Sequence, residues 1–197
     1  MATAFTAPMR VPLTPHSARA PPAALVALPS ISAAAALPTA AASGATAVTA
    51  QLALTAAFKS SGDKAIRSAP GLRAYRVVAF AFTLLLTFIG GAAWFDAQLW
   101  PADATEALLE PDGTVRFLGA VLFGELVLWD LPCAAFIKKL RRPDLLIHHA
   151  GLAIGPALVA MSYLPAFYYV WFLGLSESSS VLLATNDFFA ELHDAEE

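Results

Sequence analysis

Charge is what this sequence most lacks. Only 14% of its 197 residues are Asp, Glu, Lys or Arg, against about 25% in an average soluble domain. With 58% hydrophobic residues and a mean hydropathy of +0.63, that deficit excludes an ordinary water-soluble enzyme and points to a bilayer as solvent. Net charge is −3, which gives a nucleic-acid partner no electrostatic footing. The one cysteine, Cys133, excludes an intrachain disulfide. Four histidines (His16, His148, His149 and His193) are too few for the histidine-box di-iron sites of membrane oxygenases. No metal site and no cofactor is expected.

Acids are missing altogether from residues 1–62; the first is Asp63. That stretch is rich in Ala, Ser, Thr and Pro, with Arg10, Arg19 and Lys59 as its full positive charges. Low acidity with small hydroxylated residues fits an organelle transit peptide, and an Ala/Pro-rich disordered tail fits as well. The apolar run at 44–57 is shorter than the roughly 20 residues a span needs. Residues 1–62 are therefore expected to carry no fold, and 63–197 to form the membrane domain.

What is present is a series of long apolar runs. Residues 77–100 follow a basic collar of Lys64, Arg67, Arg73 and Arg76 and carry Trp94 and Trp100 where an interfacial aromatic belt belongs. The run is long enough to cross roughly 30 Å of hydrocarbon at about 1.5 Å per residue. Pro101 stops it, and Pro111-Asp112-Gly113 marks a turn in an acidic loop. A second span at 117–137 runs into Lys138, Lys139, Arg141 and Arg142. Ala150–Leu175 holds no charged residue, and Pro165 divides it. A third span near 147–164 and a fourth helix at 166–190 follow. The expectation is an all-α, polytopic transmembrane bundle of about four helices with a disordered N-terminal segment. Both basic segments, 64–76 and 138–142, fall on one side, the cytosolic side or its stromal or matrix equivalent.

Ionisable groups inside spans cost roughly 2.5–3.5 kcal/mol each and call for a reason. Asp130 and Glu125 lie in the second span, His148 and His149 open the third, and Glu177 lies in the fourth among Ser176, Ser178, Ser179 and Ser180. Helical rise puts Asp130, the histidines and Glu177 in the half of the bilayer nearer the basic loops, with Glu125 deeper. His148, Gly151 and Gly155 share a helix face, and Gly151-x-x-x-Gly155 is a small-residue contact motif. His149 points about 100° away from His148. Asp130 is close enough to Pro132 to bond backbone groups freed by the proline, and Asp144 is placed to serve the start of the third helix.

The ordered set Asp130, Asp144, His148-His149 and Glu177-Ser178-Ser179, within LWDLPCAAFIKKLRRPDLLIHHAG and LSESSSVLLATNDFF, resembles the TLC domain over roughly residues 115–190. That family holds ceramide synthases, a translocon-associated group and small lipid-homeostasis proteins. The synthases' downstream His-Asp signature has no counterpart after His149, and the family's final helices are missing, as in a C-terminally truncated homologue. The resemblance implies lipid homeostasis or lipid binding, with Asp130, Asp144, Glu177 and Ser179 contacting lipid. It also implies an alternative, an N-acyltransferase using acyl-CoA, with His148 or His149 as catalytic base and His148 favoured because its face carries the glycines. A third reading is an accessory subunit of an organellar membrane complex, with a membrane-protein partner or a second copy completing the bundle. The expected partners are membrane lipids; the membrane is that of the endoplasmic reticulum, or of a plastid or mitochondrion if residues 1–62 are a transit peptide.

Overall fold

The computed structural model describes residues 28–95, 113–161 and 173–193. Among these, regular structure is entirely helical. A short 3-10 turn leads into α1 (Ala36–Lys59), followed by α2 (Lys64–Ser68) and α3 (Pro70–Phe95). Then come α4 (Gly113–Glu125), a π-helical turn (Leu126–Asp130) and α5 (Leu131–Phe136). The chain closes with α6 (Pro143–Ala160) and, after a 3-10 turn at Leu175–Glu177, α7 (Ser178–His193). Among the described residues, four stretches are long and apolar enough to cross a membrane: Ala33–Lys59, Pro70–Phe95, Gly113–Phe136 and Pro143–Ala160. The chain is an all-α bundle of multi-pass membrane type.

The first of these four was not expected. Residues 36–59, given no fold from sequence, form a full-length helix inside the bundle. Two physical facts explain it. The hydroxyls that make this stretch look polar are satisfied within the helix: Thr46 and Thr49 donate to the carbonyls of Ala42 and Ala45, each at 2.8 Å. Its buried face is a stripe of small residues (Ala36, Ala40, Gly44 and Ala47) ending at Gln51. Between apolar helices in lipid, association rests on close packing rather than on the hydrophobic effect, so small residues are the adhesive ones.

That stripe lies on α4. A Cβ at Gly44 would come within 2.6 Å of the Gly124 carbonyl, and one at Gly124 would overlap the Ala40 carbonyl. Ser43 Oγ donates to the Val121 carbonyl at 3.0 Å across the same seam. Gly124→Val forces main chain away from main chain, and overpacking of this kind costs about 1–3 kcal/mol. The expected result is a lowered midpoint in denaturant titration of the micelle-solubilised protein; an unchanged midpoint would remove α1 from the bundle.

The other expected spans shift rather than disappear. The 77–100 span begins earlier, at Pro70, where a proline suits the first helical turn. Trp100, Pro101 and the turn at 111–112 lie outside the described residues, as does Pro165. Of the fourth helix expected at 166–190, the described part is the turn at Leu175–Glu177 and α7. This helix is amphipathic, with Ala184 and Glu191 buried and Leu182 and Phe189 exposed.

The two ends of the bundle are chemically distinct. At one end the Ile31 N–H donates to the Gly113 carbonyl at 3.1 Å, and Arg116 donates to the Ile31 carbonyl at 3.0 Å. At the other end Glu191 meets Arg76 at 3.0 Å and Lys139 at 3.9 Å. The two basic segments therefore share one end of the bundle.

Candidate functional site

The site begins with a proline. Pro132 has no N–H to give and crowds the carbonyl four residues back, so a regular helix cannot run through this point. The chain widens instead into the π turn at Leu126–Asp130. In an α-helix Glu125 and Asp130 would be about 140° apart; the i→i+5 repeat of a π turn brings them to the same side. Both line one cavity of about 700 Å³ bounded by α3, α4 with its π turn, α6 and α7.

Asp130 is buried and holds two partners. Its Oδ1 accepts from the Tyr75 hydroxyl at 2.7 Å, and its Oδ2 is hydrogen-bonded to Nδ1 of His149. It does not mend backbone groups freed by Pro132, the use the sequence left open for it. Behind it, Tyr75 stacks on Trp129 with ring centroids 5.1 Å apart and planes 22° apart. Trp129 is 1% exposed and donates Nε1–H to Gln51 Oε1 at 3.4 Å; Gln51 in turn donates to the Gly71 carbonyl at 2.8 Å. A polar thread thus runs from α1 through Trp129, Tyr75 and Asp130 to His149 on α6, embedded in an apolar layer that fixes each rotamer.

The candidate residues separate cleanly. Asp130, His148, His149 and Glu177 all line the cavity. Within the pair, His149 is half-buried and engages Asp130, whereas His148 is exposed and only tilts against the His149 ring at 5.7 Å. The sequence favoured His148; the structure ties His149 to the carboxylate and leaves His148 lining the cavity beside it. Of its supporting motif, both Gly151 and Gly155 line the cavity, and a Cβ on Gly151 would meet nothing, so no helix is seated on Gly151. Asp144 is not at the cavity. It is exposed and pairs with Arg142 at the start of α6, the local use its sequence position allowed. Arg142, outside the spans, is held protonated above its ordinary value by that hydrogen bond. Ser179 is exposed and donates to the Ser176 carbonyl at 3.0 Å; Ser180 lines the cavity in its place.

Tyr75, Gln51 and Trp129 escaped sequence reasoning. Tyr75 stands within a basic collar, and Gln51 within a stretch given no fold; only a three-dimensional register joins them to Asp130. The remaining walls are apolar, with Phe82, Leu86, Leu122, Leu126 and Leu173 among them. Arg76, Lys139 and Arg142 line the cavity from the basic end. Among the described residues, α6 packs on α4 and α7 on α3, while α6 and α7 make little contact with each other. Leu152 on α6 and Leu183 on α7 line the cavity and are also exposed, so among the described residues the cavity opens to the surface between these two helices. No group of three or more His, Cys, Asp or Glu side chains among the described residues is placed to hold a metal ion.

The chain matches no family model, no curated protein and no solved structure.

Proposed function

We propose that this chain is a multi-pass membrane protein of TLC type that binds a membrane lipid and serves lipid homeostasis. The observation that carries this reading is the placing of the Asp130–His149 pair inside a cavity with an apolar layer that opens between α6 and α7, two elements whose exposed surface is largely hydrophobic. Pockets for small molecules are mostly apolar with a few converging polar groups. Here the groups that converge at the pair are a carboxylate, an imidazole and a tyrosine hydroxyl, with the Glu125 and Glu177 carboxyls and the basic rim on the same cavity, suited to a headgroup or an acyl carbonyl. The membrane in this reading is that of the endoplasmic reticulum, or of a plastid or mitochondrion if the N-terminal residues direct import.

A second reading draws on the orientation of His149. With Nδ1 held by Asp130, Nε2 is the nitrogen left to act on a ligand, as in other carboxylate-oriented bases. In an acyl transfer Nε2 takes the proton from an attacking amine, the amine nitrogen bonds to the thioester carbonyl carbon, and the carbon–sulfur bond breaks. The thiolate leaves with the proton from His149. Acyl-CoA is the donor in this reading.

Lipid profiling and an acyl-CoA transfer assay on membranes expressing the wild type, His149→Ala and His148→Ala test both readings. His149→Ala is expected to shift the phospholipid profile, and His148→Ala to stay close to wild type. If transfer occurs, His149→Ala lowers its rate by about 10²–10⁴. A folded His149→Ala protein with an unchanged profile and no transfer in any sample would sink the lipid reading.

A further inference from the structure

Charge in the cavity is arranged by depth. Arg76, Lys139 and Arg142 line it from the basic end, and Glu125, Asp130 and Glu177 lie further in. The cations are not equally engaged. Arg76 is tied to Asp187 and Glu191, and Arg142 to Asp144. Lys139 only grazes Glu191, at 3.9 Å, with its side chain 57% exposed. The carboxylates are not equally engaged either. Asp130 has Tyr75 and His149, but Glu125 lines the cavity at 7% exposure with neither a hydrogen-bond donor nor a counter-ion among the described residues. A carboxyl without a protein donor, in a buried position that opens only into the cavity, is left for a ligand to satisfy. The donor it lacks fits a ligand.

From this arrangement we infer that the cavity takes the headgroup of an aminophospholipid, one carrying both a phosphate and a primary ammonium. The inference rests on the lipid reading above and names the class of lipid. The ammonium sits innermost, giving its hydrogens to Glu125 and the neighbouring carboxylates. The phosphate stays at the rim with Lys139, at the level of the bilayer where lipid phosphates lie. The chains leave through the gap between Leu152 and Leu183. A quaternary ammonium carries the same charge but has no hydrogen to donate, so choline lipids satisfy the rim and leave Glu125 bare. A lipid with phosphate alone brings a second anion toward three carboxylates.

Native mass spectrometry of the full chain in detergent decides it. The probes are dioleoyl phosphatidylethanolamine, dioleoyl phosphatidylcholine, dioleoyl phosphatidic acid and water-soluble phosphoethanolamine. The ethanolamine lipid is expected to bind about tenfold more tightly than the other two lipids, the effect of one well-made hydrogen bond to a charged group. Glu125→Gln is expected to abolish the tenfold preference of the ethanolamine lipid over the choline lipid. Lys139→Gln, at an exposed position, weakens all three lipids alike. Equal affinity for ethanolamine and choline lipids overturns the headgroup assignment and leaves the lipid reading standing, as does tightest binding of phosphatidic acid. Soluble phosphoethanolamine binding as tightly as the lipid assigns the cavity to a free headgroup and overturns the inference. No binding of any lipid overturns both. Should Glu125→Gln fail to fold, the wild-type selectivity and Lys139→Gln still decide the outcome.

Discussion

Replacing Glu191 by leucine is expected to destabilise the bundle by about 3–5 kcal/mol. Glu191 lies near the end of α7, buried, and is the carboxylate that meets Arg73 on α3. Arg73 Nη1 donates to its Oε2 at 2.9 Å, and Arg73 is itself only 2% exposed. Arg76, one turn further along α3, and Lys139, after α5, converge on the same carboxylate. The pair is surrounded by protein, so solvent screening does not weaken it. Losing the acid leaves the Arg73 guanidinium buried without a counter-ion, and a stranded buried charge is among the largest single-site penalties a protein can suffer. The double variant Arg73→Leu/Glu191→Leu is expected to recover most of that loss, because removing both charges also removes the desolvation cost. Unfolding titrations of the two single variants and the double in mixed micelles measure the coupling directly. Additive effects would mean that the two side chains do not share an interaction.

The consequence reaches the cavity. α7 contributes Ser180, Leu183 and Asp187 to its wall, the turn before it contributes Glu177, and α7 is fastened mainly to α3. Its fastenings are the Arg73–Glu191 and Arg76–Asp187 ion pairs at the basic end and the close approach of Gly174 to Gly90 at the other. Cutting the first releases the wall of the cavity while the Asp130–His149 pair stays intact. Glu191→Leu therefore impairs ligand retention by a route different from that of His149→Ala. Proteolysis within α7 separates the two: it is expected to rise in Glu191→Leu and not in His149→Ala.

How much of this could be read in the sequence depended on how local the cause was. Span length and end charges are local, so three of the four long apolar helices and the shared side of the two basic segments were legible. The depth argument placed Asp130, both histidines and Glu177 in one region because helical rise is regular, and the structure brings all four to one cavity. Azimuth was not legible. The π turn before Pro132 rotates everything after it, so no count at 3.6 residues per turn could say which histidine meets Asp130. Helix α1 was missed because Thr, Ser and Gln count as polar on any hydropathy scale, while in the fold their hydrogen bonds are satisfied. The recurring small residues from Ala36 to Ala47 were the available signal. Asp144 and Ser179 were carried into the site by the family pattern alone, and each has a local bond that accounts for it.

Trp129 is where stability and site geometry are one problem, and Trp129→Ala is expected to cost about 3–5 kcal/mol. The indole is almost entirely enclosed, stacked on Tyr75, with the Phe82 ring 6.4 Å away on a similar tilt. Truncation opens a void between α1, α3 and the π turn and leaves Gln51 Oε1 without its donor. Trp129→Phe separates these losses: it keeps most of the ring contact and gives up the N–H, so about 1 kcal/mol is expected. The functional effect follows from adjacency. Tyr75 is oriented by the indole on one face and by Asp130 at its hydroxyl, and Asp130 in turn fixes His149. An imidazole held by a carboxylate whose own support has loosened samples more orientations, and misplacement by about 1 Å can cost 10²-fold in a positioned reaction. Trp129→Ala is thus expected to weaken ligand binding or transfer even where enough protein remains folded to assay. Trp129→Phe is expected to retain both. A Trp129→Ala protein as stable as the wild type would mean that the stack does not form. One that is destabilised but binds normally would uncouple the aromatic layer from the Asp130–His149 pair.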